Sequence, residues 1–368
     1  MSFLSSWFGK KENSQKPSRR ILIDVLKTMR EGVVIVGEDT RIIASNAAAY
    51  ESFARGNGAL EEKRLSEVIR DLSVHEAFRK ALAEDEFSEV KFEFFAGEKQ
   101  TFLARIAPVN LEESSNAIGI FYDLTQIEHL EKVRQEFLSN VSHELRTPLT
   151  SIIAFVETLE DGALDDQENN RRFLGVIRRN AERMHRLIDD VLELSSIEAG
   201  KISVLPKNIK LSPLVEEVFT NLSAKAKEKQ IELENKVAPE VLVFADIVRL
   251  EQMLTNLTDN AIKFNRESGS VTVSHEQEEA TDLIHVADAG EGISNEHLQR
   301  IFERFYRTDR ARSREIGGTG LGLAIVKHLA RLHGGEVSVS SNVGIGSTFT
   351  IELPQKPSAS EILTKNLS

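Results

Sequence analysis

The run from Gln126 to about Ile197 constrains the fold more than any other part of this chain. Its apolar residues Leu130, Val133, Phe137, Val141, Leu145, Leu149, Ile152, Val156 and Leu159 recur every three or four positions, the period of one helix face. A break follows at Asp161-Gly162-Ala163-Leu164-Asp165-Asp166. A second helix then carries Phe173, Val176, Ile177, Met184, Leu187, Ile188, Val191 and Leu194 on its apolar side. Two long helices with a short connection predict an antiparallel hairpin. A lone hairpin buries little surface, so a second copy is expected to complete a four-helix bundle. Pro148 lies inside the first helix and should bend it, because it lacks a donor and clashes with the preceding turn. His143 is two residues from both Val141 and Leu145 and therefore points away from the stripe. Thr147 is one turn further on, on the same face.

On either side of this hairpin the periodicity changes. The 368 residues suffice for two or three domains with real cores. From 21 to 125, strands are expected at Val33–Val36, Arg41–Ile43, Glu89–Phe95, Gln100–Val109 and Ala117–Leu124. Short helices fall between them at Asn46–Ala54, Leu65–Asp71 and Val74–Ala83, which predicts a small α+β domain. Gly200 to Pro206 reads as a linker. Helices and strands mix again over 207–355, and residues 356–368 read as a loose tail. Residues 1–20 read as a disordered leader. Its Phe3, Leu4, Trp7 and Phe8, followed by Lys10, Lys11, Lys16, Arg19 and Arg20, also suit a weak peripheral membrane contact. No apolar run reaches the roughly 20 residues that span a bilayer. The expected location is cytoplasmic, with the membrane-peripheral leader as the alternative. A net charge of −12 argues against nucleic acid as a partner. With no cysteine, a thiolate nucleophile, a disulfide framework and a cysteine-based zinc site are all excluded.

Four constellations carry chemistry. In the first, His143 offers a ring-nitrogen lone pair near neutrality, and the adjacent Glu144 can hold the proton of the other nitrogen. Thr147 can hold a water there. A plain surface histidine is the bland alternative, and zinc fails because Thr147 stands where HExxH needs its second histidine. In the second, Asn256 and Asn260 lie one helical turn apart in NLTDNAIKFN, with Lys263 three residues on. An amide oxygen suits Mg²⁺, and Lys263 suits a phosphate; a polar helix face is the alternative. In the third, Asp288-Ala289-Gly290-Glu291-Gly292-Ile293 follows the apolar run Leu283–Val286. Its carboxylate can accept a bond from a purine amino group, though many turns share this pattern. In the fourth, Gly317-Gly318-Thr319-Gly320-Leu321-Gly322-Leu323 leads into a helix at Ala324–His333, where backbone N–H groups favour anions. Ile301–Arg307, IFERFYR, precedes a charged segment Thr308–Ile316 that reads as a lid; an amphipathic helix end is the alternative for IFERFYR.

Taken in this order, the constellations resemble those of the sensor histidine kinases of two-component systems, over roughly Gln126 to Pro354. VSHELRTPLT resembles the phosphoacceptor box, NLTDNAIKFN the N box, DAGEGI and GGTGLGLAIVK the two glycine boxes, and IFERFYR the F box. Gly344-Ile345-Gly346-Ser347-Thr348 resembles the closing strand turn. The resemblance implies a multidomain α+β chain: a PAS-like α/β sensor domain at 21–125, a dimerisation and phosphotransfer helical hairpin at 126–200, and a GHKL α/β sandwich ATP-binding domain at 207–355. It implies phosphorylation of His143, with Glu144 as base and Thr147 as the residue for dephosphorylating the partner. It implies ATP and Mg²⁺ as cofactors, Mg²⁺ on Asn260 with Asn256 in support. Lys263, Tyr306 and Arg307 would lie near phosphates or ribose, and Asp288 would bind the adenine amino group. Further nucleotide contacts are implied for Phe264, Gly290, Gly292, Ile293, Gly318, Thr319, Gly320, Leu321, Gly322 and Thr348. Phe264 stands where the family commonly has Tyr. The implied partners are a second copy through 126–200 and a response regulator receiver domain. The hairpin looks most like the phosphate-regulon sensor branch, and Asn46 and Asp123-Leu124-Thr125 are similar to PAS landmarks. A different GHKL ATPase is disfavoured because Asn256 stands where those enzymes carry a water-activating Glu. A degenerate, scaffolding kinase is disfavoured by the intact His143, Asn260 and Asp288.

Overall fold

The computed structural model describes residues 24–54, 58–111, 114–164, 166–308 and 318–355. The leader, most of the lid segment, Gly317 and the tail lie outside them. The chain divides into two compact units, one up to Glu136 and one from Phe137 onward.

The first unit is a five-stranded antiparallel sheet with helices against it. Its strands are β1 (Gly32–Gly37), β2 (Ile42–Ser45), β3 (Ser88–Ala96), β4 (Glu98–Leu111) and β5 (Ser114–Asp123), in spatial order β2-β1-β5-β4-β3. Helices α1 (Ala47–Phe53), α2 (Leu65–Val68) and α3 (Leu72–Glu84) lie between β2 and β3 in sequence. Asn46 fixes the β2–α1 corner. Its Oδ1 accepts from the N–H of Ala49 and of Val33, both at 2.9 Å, and its Nδ2 donates to the carbonyls of Leu26 and Glu31. One amide thus caps a helix and holds two backbone segments, which explains a buried polar residue at this place. The core contains packed rings of Phe53, Phe92, Phe94, Phe102 and Phe121.

The second unit begins inside α4 (Thr125–Thr158), which stays helical through the buried Pro148. A single π-helical turn, Leu159–Ala163, ends it two residues earlier than the predicted break, with Gly162 in the left-handed region at φ 113°. Helix α5 (Gln167–Glu198) runs back, started by the Asp166 carboxylate, which accepts from the N–H of Asn169 at 3.2 Å. Across the hairpin the rings of Phe155 and Phe173 lie 5.4 Å apart.

The sandwich follows as β6 (Lys207–Lys210), α6 (Leu211–Glu228), β7 (Glu232–Asn235), β8 (Leu242–Ala245), α7 (Ile247–Lys263), β9 (Ser270–Glu278), β10 (Thr281–Asp288), the short α8 (Asn295–Leu298), α9 (Gly322–Leu332), β11 (Glu336–Asn342) and β12 (Gly346–Pro354). The main sheet has the order β11-β12-β10-β9-β7, with β7 parallel to β9 and the other pairs antiparallel. Strands β6 and β8 form a separate pair. Helix α7 shows why the layers close. Its Leu250, Met253, Leu254, Leu257 and Ala261 follow helical spacing and are all buried. Each large apolar side chain so removed from water contributes about 1.5–3 kcal/mol. Leu187, Leu194 and Ile197 of α5 belong to the same continuous core, and Phe137 and Leu145 of α4 pack against it. The hairpin and the sandwich therefore share one hydrophobic seam.

Candidate nucleotide cleft and phosphoacceptor face

Asp246 starts α7 by accepting from the N–H of Val248 and Arg249, while its other oxygen accepts from Leu205 in the linker at 3.0 Å. Burial alone would raise its pKa, but these three N–H groups outweigh that and hold it below the ordinary value. The helix so positioned presents Asn256, Asp259, Asn260 and Lys263 to a cleft of about 730 Å³. Asn256 Nδ2 donates to the Gly322 carbonyl at 3.4 Å, tying α7 to the start of α9. Asn260 lines the cleft without a side-chain hydrogen bond among the described residues. Lys263 is not left alone for a ligand: its Nζ meets Asp259 at 2.5 Å, and Lys225 reaches the same carboxylate at 2.7 Å. Burial pushes Asp259 up, and the two lysines more than offset it, leaving its pKa lowered.

At the end of β10, Asp288 accepts from Gly290 at 2.8 Å and from Ser347 at 3.3 Å, both on Oδ1. Oδ2 keeps its acceptor capacity. Burial raises the pKa of this carboxyl, with the two N–H groups opposing. Glu291, Gly292 and Ile293 line the cleft behind it. Gly292 has φ 71°, and a Cβ there would overlap the Asn342 carbonyl oxygen. Gly320 is also left-handed, at φ 76°, and its carbonyl accepts from Phe305 at 2.9 Å.

Residues 301–305 form successive turns, and Tyr306 and Arg307 follow in irregular chain, rather than the amphipathic helix end that is the alternative for IFERFYR. Tyr306 and Arg307 reach the cleft, where the Tyr306 hydroxyl meets His297 Nδ1 at 2.7 Å. Gly318, Thr319, Gly320 and Gly322 line it as well. Phe264, at the end of α7, is a further lining residue. Three of the expected contacts lie outside the lining. Leu321 is wholly buried in the core, Gly290 sits behind the wall, and Thr348 alternates to the other side of β12 from Ser347 and Phe349, which do line the cleft.

A further wall comes from α5, as Arg183, Arg186, Asp189, Asp190 and Glu193. Sequence reasoning missed these, because the polar face of an amphipathic helix bears no local mark of what docks on it. Asp190 accepts from the Thr319 hydroxyl at 2.7 Å, and Glu193 accepts from Arg249 at 2.8 Å and from Gln252. Burial raises the Asp190 pKa, partly opposed by the Thr319 bond. Further along, Glu198 pairs with Arg304, and the rings of Phe137 and Phe305 lie 5.7 Å apart.

His143 and Thr147 are exposed on α4, as their spacing predicted, and neither lines the cleft. The Thr147 hydroxyl donates to the His143 carbonyl at 3.3 Å. Glu144 is half-buried and turned toward the seam, where Arg183 Nη2 lies 3.0 Å and Arg307 Nη1 3.7 Å from its Oε2.

The donor set was weighed for Mg²⁺. Among the described residues no group of three His, Asp or Glu side chains makes a cage. Two amides beside a cleft fit an ion that keeps waters and takes its other ligands from phosphates.

A helical hairpin with an exposed histidine, packed on an α/β sandwich with a polar cleft, is a hairpin joined to a domain of the GHKL fold. The sequence model for the His Kinase A (phospho-acceptor) domain matches residues 133–200. That for the histidine kinase-, DNA gyrase B- and HSP90-like ATPase matches 245–357. The chain is 32% identical over 344 residues to sensor histidine kinase WalK of Bacillus subtilis, covering 92% of this chain and 56% of that protein. It is 28% identical over 338 residues to sensor protein SrrB of Staphylococcus aureus, again 92% against 56%. It thus spans little more than half the length of these curated relatives. Among solved structures, histidine kinase AdeS of Acinetobacter baumannii has a TM-score of 0.50 at 25% identity, over 58% of this chain and 98% of that one. Histidine kinase ThkA, solved with response regulator TrrA, shares the fold with a TM-score of 0.51 at 22% identity, over 95% of this chain and 100% of that one. The chain belongs to the sensor histidine kinases.

Proposed function

We propose that this chain is an ATP-dependent protein-histidine kinase that phosphorylates His143 and passes the phosphoryl group to an aspartate of a response regulator. The observation that carries this reading is the cleft. It joins the α7 amides, the Asp288 carboxylate and the glycine-lined start of α9 on one wall to the hairpin that bears His143 on the other. Asp288 Oδ2 suits the adenine amino group, and Lys263, Arg307 and the backbone at Gly318–Gly322 suit phosphates. Asn260, with Asn256, would hold Mg²⁺, which supplies charge neutralisation on the phosphate oxygens. A ring nitrogen of His143 attacks the γ-phosphorus, the bond to the bridging oxygen breaks, and ADP leaves with its electron pair. Glu144 takes the proton from the other ring nitrogen.

The hairpin acts as a homodimer through 126–200. Leu138, Leu149, Ile153, Val156, Ile188 and Leu192 are large apolar residues exposed on its helices, which a second copy would cover. Thr147 serves a reverse, phosphatase reaction toward the regulator, in which its hydroxyl must leave the His143 carbonyl to hold a water. Residues 21–125 act as a PAS-like sensor. Among the described residues no helix is long and apolar enough to cross a membrane. We place the kinase reaction in the cytoplasm, with weak membrane contact through the N-terminal leader as the alternative.

The test is incubation with γ-³²P-ATP and Mg²⁺, wild type beside His143→Gln. Acid-labile, base-stable label that requires His143 is expected. Label on His143→Gln, or ATP turnover indifferent to it, would overturn the assignment.

A further inference from the structure

Two guanidiniums line the nucleotide cleft and also reach the residue beside the phosphoacceptor. Arg183 comes from α5 and Arg307 from the turns after α8, and both meet Oε2 of Glu144. Arg307 is almost fully enclosed, at 9% exposure of its side chain, and Glu144 is 24% exposed. Neither Glu144 nor His143 lines the cleft, and among the described residues these two cations connect it to the carboxylate. A triphosphate entering the cleft offers Arg307 a stronger, bidentate acceptor than an ion pair at 3.7 Å.

We propose that Glu144 and nucleotide phosphate compete for Arg307, and that Arg183 is the positioning residue that retains Glu144 when Arg307 turns to the phosphates. This rests on the kinase reading above and adds a coupling to it. Nucleotide arrival detaches one of the two cations from the carboxylate beside His143, so the base is loosened only when a donor is present. Arg183 keeps the carboxylate on the hairpin rather than letting it follow Arg307 into the cleft. By reciprocity, whatever holds Glu144 on Arg307 weakens nucleotide binding, and whatever removes Glu144 strengthens it.

The test measures the dissociation constant of a non-hydrolysable ATP analogue with Mg²⁺ for the full chain, by calorimetry. Glu144→Gln is expected to bind roughly fivefold more tightly. That gain should vanish in the Glu144→Gln/Arg307→Ala double variant compared with Arg307→Ala alone. Arg183→Ala leaves Glu144 on Arg307 alone and should bind more weakly, with Arg183→Lys restoring part of the loss. Thermal unfolding of each variant identifies any that fails to fold, and Arg183→Lys serves where Arg183→Ala does. Unchanged affinity in Glu144→Gln, or an equal gain with Arg307 absent, overturns the competition. Arg183→Lys binding no better than Arg183→Ala overturns the positioning role. If the wild type binds the analogue but His143 takes no label from ATP, the kinase reading fails while the competition can still be measured. A wild type that binds no nucleotide refutes both.

Discussion

Replacing Gly292 by alanine separates two costs that are usually confounded at a glycine. Gly292 has φ 71°, and a Cβ there would overlap the Asn342 carbonyl oxygen and come within 2.9 Å of Val343 Cα. Gly344 belongs to the same junction, since its N–H donates to the Glu291 carbonyl at 2.7 Å. It is also left-handed, at φ 81°, but an added Cβ meets nothing within 4 Å. Gly344→Ala therefore bears only the backbone term, about 1–2 kcal/mol. Gly292→Ala bears the same term plus the displacement of a backbone carbonyl, about 1–3 kcal/mol more by analogy with overpacking. The expected losses are about 1–2 and about 2–5 kcal/mol. Urea unfolding of both variants measures the difference, and nucleotide titration shows whether it reaches the cleft, which Gly292 lines and Gly344 does not. Equal losses in the two variants would refute the steric argument. Intact nucleotide affinity in a destabilised Gly292→Ala would refute the view that this glycine shapes the cleft wall.

Other outcomes follow from single groups. His333 is buried, with Nδ1 donating to the Leu329 carbonyl and Nε2 accepting from the Asp246 N–H, and burial lowers its pKa from 6.5. As pH falls below about 6.5 the unfolded chain takes up a proton that the folded chain refuses, so this contribution to stability is present above that pH and is lost below it. His333→Gln should flatten that part of the stability–pH curve, and an unchanged slope would show that His333 does not cause it. Thr319→Val leaves the half-buried Asp190 without its hydroxyl donor and should cost about 1 kcal/mol in chemical unfolding. Asp190→Asn keeps an acceptor for Thr319 and removes a carboxyl whose pKa is raised by burial, so its charged form opposes folding at neutral pH. Its stability at pH 7 should equal or exceed that of the wild type, and a loss comparable to that of Thr319→Val would show that the charge itself is needed.

Much of this molecule can be read from local patterns. The helix period from Leu130 to Leu194 specifies the hairpin and the outward direction of His143, because both depend only on 100° per residue. The amide pair Asn256 and Asn260, one turn apart, and the aspartate before the first glycine box mark the cleft for the same reason. Thr348 lies one residue from the lining Ser347, and in a strand one residue is enough to put a side chain on the opposite face.

By itself the sequence determined the elements, their order, the family and most residues around the cleft, since each depends on neighbours a few positions away. Only the tertiary structure decided what closes the cleft and what holds Glu144. Asp190 meets Thr319 across 129 positions and Arg183 meets Glu144 across 39. Such pairs follow from the shared core of Leu187, Leu194 and the sandwich, and no local period records them. Burial likewise raised Asp190 and Asp288 and lowered His333, because desolvation depends on everything packed around a group rather than on its place in the chain.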